Sequence, residues 1–148
     1  MIRLATRYDI SKLLDLMRGY ASESPVDAYR NINFQNEEYV SNLFFSIIIG
    51  RGFIVVDDDL NGMLAAIITP NIWSPDILEL KELAWWVKPE FRNGSLGGKL
   101  WLEFNYLADE MLKENRVQVI TCSLMANSPK MNYEKRGFKS LESNYFKE

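Results

Sequence analysis

With 148 residues, 47% of them hydrophobic and 25% charged, the chain has the size and balance of one soluble domain, residues 1–148, with a core of its own. A net charge of −3 speaks against a general nucleic-acid or anionic-membrane partner. No apolar run approaches the ~20 residues of a transmembrane helix, and the opening MIRLATRYDI has no signal-peptide pattern, so the expected location is cytoplasmic.

The chain contains no histidine and one cysteine, Cys122. Ser-His-Asp and Cys-His catalysis, histidine-ligated metals and an internal disulfide are thereby excluded. Proton transfer is left to carboxylates, tyrosine, lysine, the cysteine or water. Residues 2–5 read as a short first strand. Asp9 is placed to cap a helix running to about residue 20, with Ile10, Leu13, Leu14 and Met17 on one face. Residues 22–33 are polar and hold Pro25, which predicts a loop of the kind that shapes access to a site. Helical spacing returns over residues 36–49, where Val40, Leu43, Phe44, Ile47 and Ile48 form the stripe and Gly50 and Gly52 end it. Two β-rich runs, 53–56 and 63–69, flank Asp57-Asp58-Asp59-Leu60-Asn61-Gly62, whose Asn-Gly pair predicts a hairpin turn. The aspartates invite a calcium reading, but the twelfth position from Asp57 is Ile68, where an EF-hand loop needs glutamate; no metal is expected.

The stretch from Leu78 to Leu100 organises the rest. Residues 78–87 are apolar and aromatic, as in a strand covered on both faces, and Pro89 ends the ladder. Arg92, Asn93, Gly94, Ser95, Leu96, Gly97 and Gly98 then supply successive backbone N–H groups with little side-chain bulk, at the start of a helix predicted over 96–115. Such a turn suits an anion, a diphosphate above all. Beyond it, 117–124 reads as a strand. Ser128-Pro129 opens a short helix that carries Tyr133 and ends at Gly137, and 138–146 reads as a last strand. The predicted order is β-α-α-β-β-β-α-β-α-β, an α/β (α+β) domain.

The turn is not a Walker loop, which would need glycine at Asn93 and a hydroxyl at Leu100, nor a GxGxxG fingerprint, since its glycines fall at 94, 97 and 98. A glycine-rich connection without a ligand stays open. Val87-Lys88-Pro89-Glu90-Phe91-Arg92, with Gly97 and Leu100, resembles the acyl-coenzyme-A turn of the Gcn5-related N-acetyltransferases. Ser95 stands where that family usually has its middle glycine. Tyr133-Glu134-Lys135-Arg136-Gly137-Phe138 is similar to a second family segment, with Asn127 one residue closer to Tyr133 than is usual. The element order matches the same fold, a mixed, mostly antiparallel sheet flanked by helices, over essentially the whole chain.

The resemblance implies acetyl transfer from acetyl-CoA to an amine of a small molecule or protein, by direct attack in a ternary complex. It implies that Trp85, Trp86 and Val87 border the pantetheine arm, that residues 92–98 and Asn127 hold the cofactor, and that Tyr133 is the acid. A glutamate on the organising strand would be the base. Glu79 and Glu82, three apart, face opposite ways unless a bulge intervenes, and Glu82 is favoured as nearer the strand's end. A binding protein that uses this fold without catalysis remains the rival. Oligomeric state stays open, a homodimer included.

Overall fold

The structure is a computed structural model that describes residues 1–30 and 37–148. Among the described residues five strands form one sheet in the order β1-β2-β3-β4-β5: Ile2–Leu4, Gly52–Asp57, Gly62–Pro70, Leu78–Val87 and Val119–Thr121. Neighbours are antiparallel except β4 and β5, which run parallel. Among the described residues four α-helices accompany them: α1 (Ile10–Ser22), α2 (Asp27–Arg30), α3 (Glu37–Ser46) and α4 (Leu96–Lys113). No helix among the described residues is long and apolar enough to cross a membrane.

The central strands are apolar along their length because both faces are covered. On one face Ile54, Val56, Met63 and Ala65 pack with Leu13 and Leu16 of α1 and Phe44 of α3. On the other, Val55, Leu64, Ala66 and Leu80 pack with Leu100, Phe104 and Ala108 of α4. Gly62 lets α4 come close: a Cβ there would sit 2.9 Å from Leu100 Cδ1.

A bulge on β4 decides which side chains face the site. Ala65 pairs with Ala84 but Ala66 pairs with Glu82, so Leu83 is the extra residue. Leu83 and Ala84 both pack on the α1 side. Beyond the bulge the alternation is inverted, so Trp85 and Val87 join Leu78 and Leu80 on the α4 side, while Trp86 faces α1.

Several expectations need correction. Asp9 stands at the N-cap position of α1, but its side chain makes no capping bond there. Its carboxylate accepts the Thr6 N–H at 2.8 Å and pairs with Arg3, which holds it down at about 2. The stretch predicted as loop holds the end of α1 and all of α2; its last positions, 31–33, lie outside the described residues, as does residue 36 of the next predicted helix. In the hairpin the left-handed residue is Leu60, at φ 53°, and Asp57 Oδ1 accepts the N–H groups of Asn61 and Gly62. The strand predicted over 117–124 spans only Val119–Thr121. The helix predicted after Ser128 is a single turn at Glu134–Arg136, with Gly137 left-handed at φ 89°, and residues 138–148 form no strand. Residues 138–148 pair with no strand, so β-favouring residues such as Tyr145 lie exposed.

Candidate active site

β4 and β5 are paired only from Glu79 with Val119 to Lys81 with Thr121. Past that point they diverge, and the backbone of β4 from Leu83 to Val87 borders a cleft of about 760 Å³ on its β5 side. The floor is set by Glu82, Trp85, Trp86 and Val87. The turn before α4 closes one end with Arg92, Gly94, Gly97 and Gly98, and Asn127 and Tyr133 come from the segment after β5. Ten of the thirteen residues singled out from sequence therefore converge on one space. Asn93 and Ser95 are exposed on the turn without lining the cleft, and Leu96 packs against the core beneath α4.

Glu82 is buried, and its electrostatic setting differs from that of Asp9, the other buried carboxylate among the described residues. Asp9 has Arg3. Glu82 has no cation within ion-pair distance among the described residues, and its one donor is the Ser123 N–H at 3.2 Å. Burial pushes its carboxyl up to about 7, and the Ser123 N–H opposes that only in part. Glu79 accepts a bond from Asn71 Nδ2 at 2.9 Å and does not line the cleft, in keeping with the opposite facing of the two glutamates.

Three further groups lie within the field of Glu82. The Cys122 thiol is raised to about 12 by burial and by Glu82, which keeps it protonated and a poor nucleophile near neutral pH. Tyr20 is raised for the same two reasons. Tyr133 is raised by burial first, then by Glu82. The Tyr133 ring is wedged edge-on between Trp101 and Phe138, and its buried hydroxyl has no hydrogen-bond partner among the described residues. A phenol kept neutral, unpaired and at the wall of a cleft is a donor waiting for an acceptor.

The glycines of the turn differ in kind from the others. At Gly19 an added Cβ would meet the Trp86 ring at 2.2 Å, and at Gly52 the Ala66 carbonyl at 2.1 Å, so packing demands glycine at both. At Gly97 the nearest atom would be 3.9 Å away, at Gly94 also 3.9 Å, and at Gly98 nothing lies within 4 Å. None of these three has a left-handed φ. Glycine within a helix costs about 0.5–1 kcal/mol against alanine. Neither packing nor backbone conformation explains that cost here, while the open backbone beside a helix N-terminus fits a diphosphate.

Glu23 is the residue that sequence reasoning missed. Its carboxylate accepts Trp86 Nε1 at 3.1 Å and Arg92 Nη2 at 2.7 Å, and its backbone carbonyl accepts Asn127 Nδ2 at 2.8 Å. Arg92 also donates from Nε to the Val87 carbonyl and lies over the Trp86 ring. Three residues expected to hold cofactor are thus tied to one glutamate at the end of α1. No local signal marks it, since its partners lie 63 to 104 residues away in sequence.

No family model and no curated protein matches the chain. Solved structures do. A predicted acetyltransferase of Clostridium acetobutylicum, solved with acetyl-CoA, superposes with a TM-score of 0.70 at 14% identity, over 97% of this chain and 95% of that one. An acetyltransferase of Trypanosoma brucei gives 0.65 at 16% identity, over 100% and 98%. An aminoglycoside acetyltransferase from an uncultured soil metagenomic sample, solved with trehalose, gives 0.64 at 12% identity, over 99% and 95%. At such identities the common property is the fold.

Proposed function

Starting from a chain with the Gcn5-related N-acetyltransferase fold, we propose that it transfers an acetyl group from acetyl-CoA to a primary amine of a small molecule or protein, directly and in a ternary complex. The observation that carries this reading is Glu82: a buried carboxylate with no cation paired to it among the described residues, its pKa raised by burial to about 7, in the same cleft as the Tyr133 hydroxyl, which has no partner among them, and the open glycine turn. A binding protein that merely used this fold has no need of such a group.

Arg92, Gly94, Gly97, Gly98 and Asn127 receive the diphosphate and neighbouring groups of the donor, and the free edge of β4 at Trp85–Val87 receives its extended arm. Arg92 serves the phosphates only after it leaves Glu23. Holding thioester and amine together is the largest contribution, worth about 7–11 kcal/mol in well-oriented systems. An alkylamine with a pKa of about 10.4 is neutral in only about one molecule in 10³ at pH 7. Glu82, ionised in about half the molecules near pH 7, accepts the ammonium proton and then competes for no other cation. The amine nitrogen bonds to the thioester carbonyl carbon, the carbon–sulfur bond breaks, and the departing sulfur takes the Tyr133 proton; the nitrogen's second proton passes through water to the Tyr133 phenolate, and Glu82 gives the first to solvent. Cys122 carries no acyl group, since its thiol stays protonated.

The test combines calorimetry of acetyl-CoA binding with thiol release over a panel of amines. Micromolar binding and amine-dependent thiol release, cut at least 100-fold by Glu82→Gln, are expected. Binding without turnover of any amine would leave the non-catalytic reading standing in its place.

A further inference from the structure

A second cavity, of about 370 Å³, opens beside the cleft between α1, α2 and the loop after β5. Met17, Tyr20, Pro25, Val26, Tyr29 and Met125 wall it, and Tyr20 and Met125 belong to both spaces. No charged side chain among the described residues lines it. Its serine, Ser24, is buried, with its hydroxyl engaged by the Val26 N–H at 3.2 Å and its carbonyl by Arg30 at 2.8 Å. What remains is an apolar chamber with two aromatic rings, of a size for one aromatic or branched aliphatic group.

Its position relative to Glu82 gives it a use. The glycine turn fixes the anionic end of the donor, and Glu82 marks where an amine must sit. The remainder of the acceptor then extends away from the donor, and Tyr20, within the field of Glu82, is the wall shared with the second cavity. A polycation extended there would lose hydration and find no carboxylate among the described residues lining the cavity. An apolar group would leave water for apolar contact.

We propose that the acceptor is a small primary amine bearing an aromatic or branched aliphatic group, which fills this cavity while the nitrogen lies at Glu82. The assignment rests on the acetyl-transfer reading above and adds the acceptor's class to it.

The experiment compares 2-phenylethylamine and 3-methylbutylamine with spermidine in the thiol-release assay, and measures 2-phenylethylamine binding by calorimetry with coenzyme A present. The wild-type protein should prefer the apolar amines at least tenfold in kcat/KM. Val26 supplies the carbonyl that accepts the first bonds of α2, from Tyr29 and Arg30, so it holds a capping position where aspartate is favoured. Val26→Asp should therefore fold, yet raise KM for 2-phenylethylamine at least tenfold with kcat and acetyl-CoA affinity within twofold, and Val26→Leu should restore it. Tyr29 is more than half exposed, so Tyr29→Ala is a second variant that spares the fold, with a several-fold rise in KM expected. A preference for spermidine, or a KM for 2-phenylethylamine unmoved in both variants, overturns the proposal. The same follows if no amine enters because the chain's own residues fill the space. If no amine turns over but 2-phenylethylamine binds and loses tenfold affinity in Val26→Asp, the cavity's ligand class stands and the acetyl-transfer reading fails. If amines turn over without apolar preference, acetyl transfer stands and the cavity's ligand class fails.

Discussion

Replacing Glu82 by glutamine removes one proton-binding group while keeping an oxygen for the Ser123 N–H, now at 3.2 Å. Glu82 sits near 7 in the fold, against an ordinary value of 4.5. At about 1.4 kcal/mol for each tenfold change, ionising it in the folded protein costs about 3 kcal/mol more than in the unfolded chain. Between those two values the folded state holds a proton that the unfolded state has lost, so stability falls as pH rises through that window and is level above it. Glutamine has no such step. The variant should gain on wild type between pH 4.5 and pH 8 by about 3 kcal/mol. At ~2–4 °C per kcal/mol, that is roughly 6–12 °C in Tm by calorimetry. The same variant should lose about 10²–10⁴ in rate at neutral pH, and the loss should shrink as rising pH supplies free amine. A Tm difference that does not change with pH would mean that Glu82 ionises as a solvated glutamate does. Burial would then give no ground for assigning Glu82 as the base.

Tyr133→Phe deletes a buried hydroxyl without a partner, so the free protein should lose no stability. Its kcat should drop about 10- to 100-fold, below the usual range because thiolate can leave unaided; an acyl donor with a more acidic thiol should regain part of it, and weaker donor binding at constant kcat would make Tyr133 a packing residue. Gly97→Glu has room for its Cβ, with no atom closer than 3.9 Å, and should fold yet abolish acetyl-CoA binding through bulk and like charge; unchanged affinity by calorimetry would place the diphosphate elsewhere. Glu23→Gln releases Arg92 from its ion pair and should tighten acetyl-CoA several-fold, more at low salt than at high. A loss of affinity instead would show that Glu23 holds Arg92 in its working position.

Local signals were enough for part of this molecule. The run from Leu78 to Val87 is largely apolar and is followed by Pro89, which has no N–H to continue a ladder, so both ends of β4 were legible. The start of α4 at Leu96 was legible from the glycine-rich turn, and the convergence of Glu82, Tyr133 and that turn followed from two motifs on one fold. Tertiary structure decided the rest. Strict alternation would put Trp86 on the face of Leu80, but the bulge at Leu83 puts Trp85 there and turns Trp86 toward α1, because α1 and α4 each need a packed surface. Residues 138–146 have the composition of a strand and form none, because β-propensity reflects packing against a partner strand and composition does not supply that partner. Glu23 reaches Trp86, Arg92 and Asn127 only because the end of α1 lies across the mouth of the cleft. Helix spacing and turn chemistry act over a few residues. Which far-separated side chains meet is set by how the covered faces of one sheet are shared among its helices.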